Sequence, residues 1–312
     1  MNKKTKRNLF FLTGGITALA LLNRYFENSV KSEDGVDDPL QRTWYFRDFA
    51  IRYSVMGEGK PILMVHDIGG HSSSIEWLET APILARKYKV YTLDLIGFGF
   101  SDKPVMTYTG YLFTDLLVAF IKEVIGEKTD VIASGQSAGI ALSVKKILPD
   151  QVGKIILVNP SSPVLHQPTE GIHRAIRSVY RIPVIGTVFY NLTFSRLRME
   201  GAQPVKMFYR PQNVSKKLIH AFYRNSRRHE KGAISVFTSR INNLFAVPTA
   251  RFAKDIDDLT IIYGKYNLKE FPILHKYKNL NYHILFAPID DSRQMPQIEM
   301  PDVFAAQVEA VL

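Results

Sequence analysis

The chain has 312 residues, 46% of them hydrophobic and 22% charged, with no cysteine. That is enough apolar material for a full core, and it excludes a disordered segment or a disulfide-built scaffold. The formal net charge of +11 favours an acidic surface as partner and carries no information about fold.

At the N-terminus, Lys3, Lys4, Lys6 and Arg7 precede an uncharged run over residues 9–22 that contains Gly14 and Gly15. The run is short for a membrane span, which needs about 17 to 25 residues, but Tyr25 and Phe26 extend it. The expectation is an uncleaved anchor over residues 1–26 in the cell membrane, with its basic end inside and the folded domain on the extracytoplasmic side. A cleaved signal peptide, with Ala18-Leu19-Ala20 as its cut site, is the rival reading. A polar, acidic tether over residues 27–43 then leads to a domain at 44–312.

Within that domain, strand-like runs at 51–56, 62–65, 90–93 and 129–133 alternate with helix-like runs at 76–88, 110–125 and 140–148. Further strand-like runs lie at 154–158, 259–263 and 282–286. The alternation predicts an α/β fold: a mostly parallel sheet with flanking helices. Residues 161–253 break it and read as helices rich in Arg, Tyr and Phe. Fifteen Lys and Arg against three Glu give this stretch a charge of +12, more than the whole chain carries. Either its arginine faces are simply solvated, or it meets an anionic membrane surface or ligand. Phe189, Tyr190, Phe194, Phe208 and Tyr209 would then supply apolar contact. No base-reading module accompanies the charge, so nucleic acid is not an expected partner.

The chemistry is concentrated at Gly135-Gln136-Ser137-Ala138-Gly139, which follows the strand run 129–133 and opens the helix run 140–148. A G-x-S-x-G turn between a strand and a helix holds a serine Oγ exposed above the sheet while the next backbone N–H faces a developing oxyanion. Upstream, the strand run 61–65 ends in His66-Asp67-Ile68-Gly69-Gly70, a turn whose N–H groups suit the other half of an oxyanion hole. The run 90–93 leads into Asp94-Leu95-Ile96-Gly97-Phe98-Gly99-Phe100-Ser101-Asp102-Lys103-Pro104. Asp94 and Asp102 are expected to bind backbone N–H groups there rather than to act as acids.

The order and spacing of these three segments resemble the α/β-hydrolase family, from about residue 44 to the C-terminus. The resemblance implies a helical cap at 161–253, Ser137 as nucleophile, and Ala138 and Ile68 as oxyanion N–H donors. It also exposes departures. The triad-acid position reads Asn267, in Gly264-Lys265-Tyr266-Asn267, and the triad-histidine position reads Gln294, with Gln297 where another histidine is common. The alternative acid site after the run 154–158 offers Asn159-Pro160. An amide cannot take the serine's proton, and losing a triad histidine costs about a million-fold in turnover in subtilisin.

None of the eight histidines sits at a recognisable triad position. His66 and His71 flank the oxyanion turn, and His66 reads as a structural hydrogen-bonding residue. His283 reads as packed in a strand and His275 as a surface helix residue, while His166, His173, His220 and His229 fall in the cap. Asp67 is unusual beside an oxyanion hole, where its charge opposes the one that develops unless it turns away to cap nearby N–H groups. Neither a metal site nor a cofactor motif is present: there is no H-E-x-x-H, and no glycine loop for phosphates.

Two functions remain open. One is weak or unconventional hydrolysis of an apolar ester or acyl substrate through an accessible Ser137 faced by Gln294. The other is a non-catalytic pseudo-hydrolase that binds a lipid-like ligand or a protein partner.

Overall fold

The computed structural model describes residues 42–164, 170–182, 184–228 and 230–312, together with Thr17, Leu19, Leu21, Asn23 and Arg24. One eight-stranded sheet organises the chain: β1 (Arg42–Phe46), β2 (Phe49–Met56), β3 (Pro61–Val65), β4 (Lys89–Leu93), β5 (Thr129–Ser134), β6 (Val152–Val158), β7 (Leu259–Gly264) and β8 (Leu285–Ile289). Their spatial order is β1-β2-β4-β3-β5-β6-β7-β8. The hairpin β1–β2 and the pair β2–β4 are antiparallel, and every other pairing is parallel. The expected α/β architecture is therefore present. Strand β3, buried at every position, is the apolar run that a sheet covered on both faces requires.

Helices cover both faces. On one side α1 (Ala81–Leu84) and the C-terminal α12 (Pro301–Val311) enclose Trp77, Ile132, Ile156 and Phe304. On the other, α2 (Gly110–Phe120) and α3 (Ser137–Ile147) enclose Leu63, Val131, Leu142 and Ile155. Helix α2 starts where Thr109 Oγ1 accepts from Leu112 N–H, a side-chain N-cap. The helix expected over 76–88 is broken into a 3-10 turn, Ser74–Trp77, and the short α1. Pro82, which can occupy only a first helical turn, restarts the chain there.

Between β6 and β7 lie α4 (Glu170–Arg181), α5 (Ile185–Thr193), α6 (Gln203–Met207), α7 (Lys216–Arg227), α8 (Glu230–Ile241) and α9 (Thr249–Ala253). They have a core of their own, in which Tyr190, Phe194, Phe208 and Phe222 are buried. Of the aromatic residues expected on the outside of this cap, only Phe189 is well exposed; Tyr190, Phe194 and Phe208 face inward, and Tyr209 stacks on Tyr266 with ring centroids 4.1 Å apart. The cap is fastened to the domain by Lys103 Nζ donating to Asn225 O, Asn225 Nδ2 to Ser73 Oγ and Arg240 Nε to Gln136 Oε1. The last elements are α10 (Phe271–Leu280) and, before α12, α11 (Pro296–Glu299).

Three expectations need correction. The membrane anchor and the extracytoplasmic placement derived from it are not supported: among the described residues no helix is long and apolar enough to cross a membrane. The run 9–22, the rival cleavage site and the tether lie outside the described residues apart from Thr17, Leu19 and Leu21 and apart from Arg42 and Thr43, which open β1 instead of belonging to a tether; Asn23, just after the run, hydrogen-bonds to the cap at Val184 O and Asn191. The last strand begins at Leu285 rather than 282, because Asn281 Nδ2 holds Ala253 O and Ile256 O while its Oδ1 accepts from His283 N–H. His283 is consequently an exposed turn residue, not a sheet-packed one.

Candidate active site

Parallel pairing brings the two motif turns together. Val65 of β3 stands beside Ala133 of β5, and Ser134 beside Val158 of β6. The turns leaving β3 and β5 therefore emerge side by side at the carboxyl end of the sheet, where open α/β sheets bind their ligands. Gly135 turns the chain with φ +55°, and Ser137 is the first residue of α3.

The serine is not accessible. Ser137 has no exposed surface, and its Oγ donates a 2.5 Å hydrogen bond to the carbonyl of His66. A carbonyl oxygen holds the hydroxyl in place but cannot remove its proton. The cap closes over the turns: a Cβ at Gly70 would collide with the Phe194 ring, and one at Gly139 with Thr249 and Val247.

Asp67 occupies the oxyanion turn. Its Oδ1 accepts from its neighbour Ile68 N–H and from Gln136 N–H, each at 2.8 Å. Ile68 N–H, expected to await a substrate oxyanion, is thus already committed to the chain's own carboxylate, and so is the N–H group just ahead of Ser137. Ala138 N–H makes a long, 3.4 Å bond to Gly135 O. Asp67 does cap local N–H groups, but by turning into the hole rather than away from it. Its backbone N–H donates to Glu76 Oε1, which also accepts from Ser134 Oγ. Glu76 is fully buried, and burial, then the nearby Asp67 charge, push its carboxyl well above the usual range. Nothing in the sequence pattern singled out Glu76; the inward turn of the 3-10 segment places it here.

The histidines next to the turn are not bases for Ser137. His66 Nε2 accepts from Leu95 N–H at 3.0 Å, so Nδ1 carries the proton and donates to Asp67 O. Both ring nitrogens are engaged, and burial lowers the pKa. His71 is pushed down to about 4 by burial, opposed by Asp67, and its ring meets Phe222 of the cap edge-on. His220 pairs with Glu200, while His166 and His229 lie outside the described residues. Among the described residues no imidazole nitrogen hydrogen-bonds to Ser137 Oγ.

The amide positions do not converge on the serine. Gln294 is exposed and is held through its backbone: its N–H donates to Met207 O, and its carbonyl accepts from Asn159 Nδ2. The expectation that Gln294 faces the serine fails because its neighbour Met295 fills the cap core, which turns Gln294 outward. Asn159, the residue at the alternative acid site, also donates to Arg293 O and accepts from Gly264 N–H, so it ties the last loop to β7. Asn267 Nδ2 lies 3.4 Å from Glu270 Oε2. Gln297 is buried within α11. Asp94 accepts from Ser74 and Phe100 N–H and Asp102 from Ala50 N–H, both as rigid loop ties. Among the described residues no cluster of His, Asp and Glu could hold a metal ion.

A model described as the alpha/beta hydrolase family matches residues 62–307. The chain belongs to the α/β hydrolase family. Among similar proteins, 2-hydroxy-6-oxo-6-(2'-aminophenyl)hexa-2,4-dienoic acid hydrolase of Metapseudomonas resinovorans is 28% identical over 161 residues, 51% of this chain and 53% of that protein. The 2-hydroxymuconate semialdehyde hydrolase of Pseudomonas sp. (strain CF600) is 30% identical over 118 residues, 37% of this chain and 41% of that protein. The chain thus spans about half, or less, of the length of these relatives. A solved serine hydrolase involved in carbazole degradation superposes with a TM-score of 0.68 at 20% identity, over 87% of this chain and 97% of that one, a likeness of fold alone.

Proposed function

We propose that this α/β hydrolase is non-catalytic, its former reaction centre turned into a hydrogen-bonded packing node and its function carried by binding through its surfaces. The observation that carries this reading is Asp67, whose carboxylate takes the N–H groups of Ile68 and Gln136. Enzymes that lose a triad residue retain roughly 10³- to 10⁴-fold catalysis over water from the oxyanion hole and from binding. Here a fixed negative charge stands where that negative charge would develop, so even this remainder is opposed. The buried serine bonded to a carbonyl and the outward Gln294 support the same reading.

The test is labelling with a fluorophosphonate, which requires a serine whose proton is being removed and needs no knowledge of a substrate. The protein is expected to label no faster than Ser137→Ala. Gln294→His combined with Asn267→Asp is expected to leave it unlabelled, because residue 294 points to solvent. Rapid labelling that Ser137→Ala abolishes would overturn the proposal in favour of hydrolysis of an apolar ester or acyl substrate, a reading favoured by the intact glycine turn at Gly135.

A further inference from the structure

The outer face of α5 is apolar where a helix on a monomeric surface is usually polar. Ile185, Phe189 and Leu192 lie on one face at spacings of four and three, and Ile182 precedes them; Phe189 is 48% and Leu192 50% exposed. The far side of the helix is satisfied by burial of Gly186, Tyr190 and Asn191, and Val188 at the edge of the stripe is buried too. Asn23 is bonded to Val184 O and Asn191, which brings exposed Leu21 and Arg24 alongside. The chain after α5 continues with exposed Leu197 and Arg198, then exposed Val205 and Lys206. The acidic residue on this stretch, Glu200, is taken by Arg196 and His220. Exposed large apolar side chains thus alternate with exposed basic ones along residues 189–206 of the cap.

We propose that this face of the cap docks peripherally on an anionic lipid surface, with Phe189 and Leu192 entering the boundary between headgroups and acyl chains and Arg24, Arg198 and Lys206 meeting lipid phosphates. Charge selects this occupant. The cap segment 161–253 carries +12, so a second copy facing it would bring like charge against like, whereas an anionic surface satisfies both the apolar and the basic residues. The contact is with one leaflet, involves no span, and is independent of whether Ser137 reacts.

Co-flotation of the full chain with vesicles tests it. Vesicles of phosphatidylcholine and phosphatidylglycerol are expected to bind at least tenfold more tightly than phosphatidylcholine alone, since each basic residue near such a surface contributes about fivefold. Raising salt from about 0.1 M to about 1 M shortens the screening length from about 10 Å to about 3 Å and should remove most of that preference. Phe189→Ser with Leu192→Ser is expected to cut binding to anionic vesicles at least tenfold. Arg198→Glu with Lys206→Glu should cut it similarly without affecting neutral vesicles, all at an unchanged melting temperature. Equal binding to both vesicle types, no binding, or insensitivity to both double substitutions overturns the proposal. So does a dimer, seen by sedimentation velocity, that the Phe189 and Leu192 substitutions dissolve while vesicle binding is absent; that result would assign the face to a second copy.

Discussion

Replacing Gly135 with alanine is expected to lower the stability of the fold by about 3 kcal/mol or more, a large share of the roughly 5 to 15 kcal/mol that holds a typical domain. Two costs add. At φ +55° an L side chain costs about 1 to 2 kcal/mol. The new Cβ would also collide with Asp67 Oδ1, the oxygen that serves Ile68 and Gln136 N–H. Pushing it aside unpairs the buried Ile68 donor and the half-buried Gln136 donor, at up to about 1 to 3 kcal/mol each. The collision can be separated from the backbone term. Asp67→Gly alone should destabilise by orphaning the same donors, and Gly135→Ala made in that background should cost only its backbone term. The double-mutant cycle is therefore expected to show a coupling of about 1 kcal/mol or more between the two positions, measured by urea unfolding. Strict additivity would show that Asp67 does not press on the elbow, and would remove the main support for a self-occupied oxyanion site.

The elements that proved legible in the sequence were those whose signal is local. The apolar run of β3, the Gly135-to-Gly139 elbow at the end of β5 and the alternation around them need only neighbours in the chain to be read, and the amides at Asn267, Gln294 and Asn159 needed only the motif order. What could not be read depends on contacts between distant segments. Asp67 looks misplaced in isolation; its role becomes clear only when the register of β3 on β5 sets it beside Gln136, a residue 69 positions away. Gln294 points outward because Met295 finds a partner in the cap core, and a polar–apolar pair in a loop does not reveal which member a remote helix will claim. In the cap, helical periodicity groups Phe189 with Leu192 and Tyr190 with Phe194 but cannot say which group faces water. The basic charge of the segment suggested that aromatic residues lie outside, whereas cohesion of the cap requires most of them within.

Glu270 is expected to make stability fall as pH rises from about 4.5 to about 8. Its side chain is buried, its Oε1 has no hydrogen-bond partner, and burial pushes its pKa up from 4.5 to about 8. In that window the folded protein retains a proton that the unfolded chain has released, so each step upward in pH favours unfolding; below about 4.5 both states are protonated and above about 8 both are ionised. The full effect is on the order of a few kcal/mol, since one pKa unit corresponds to about 1.4 kcal/mol. Other buried groups titrate too: Lys103, lowered to about 7 by burial, works in the opposite sense above that pH, and Glu76 in the same sense. The difference between the parent protein and Glu270→Gln isolates the single carboxyl. The variant should match the parent near pH 4, exceed it progressively to about pH 8, and keep a constant advantage beyond. A flat difference curve would mean that Glu270 ionises freely in the folded state. The result also bears on function. Glu270 stands three residues beyond Asn267, the amide expected at the triad-acid position, and is the carboxyl that contacts it. A group that stays protonated at neutral pH and has Asn267 as its partner cannot serve as the negative orienter that a catalytic histidine needs. If it instead titrates near the usual carboxylate range, the acid half of a triad would survive under another residue number, and the search for a base would have to be reopened.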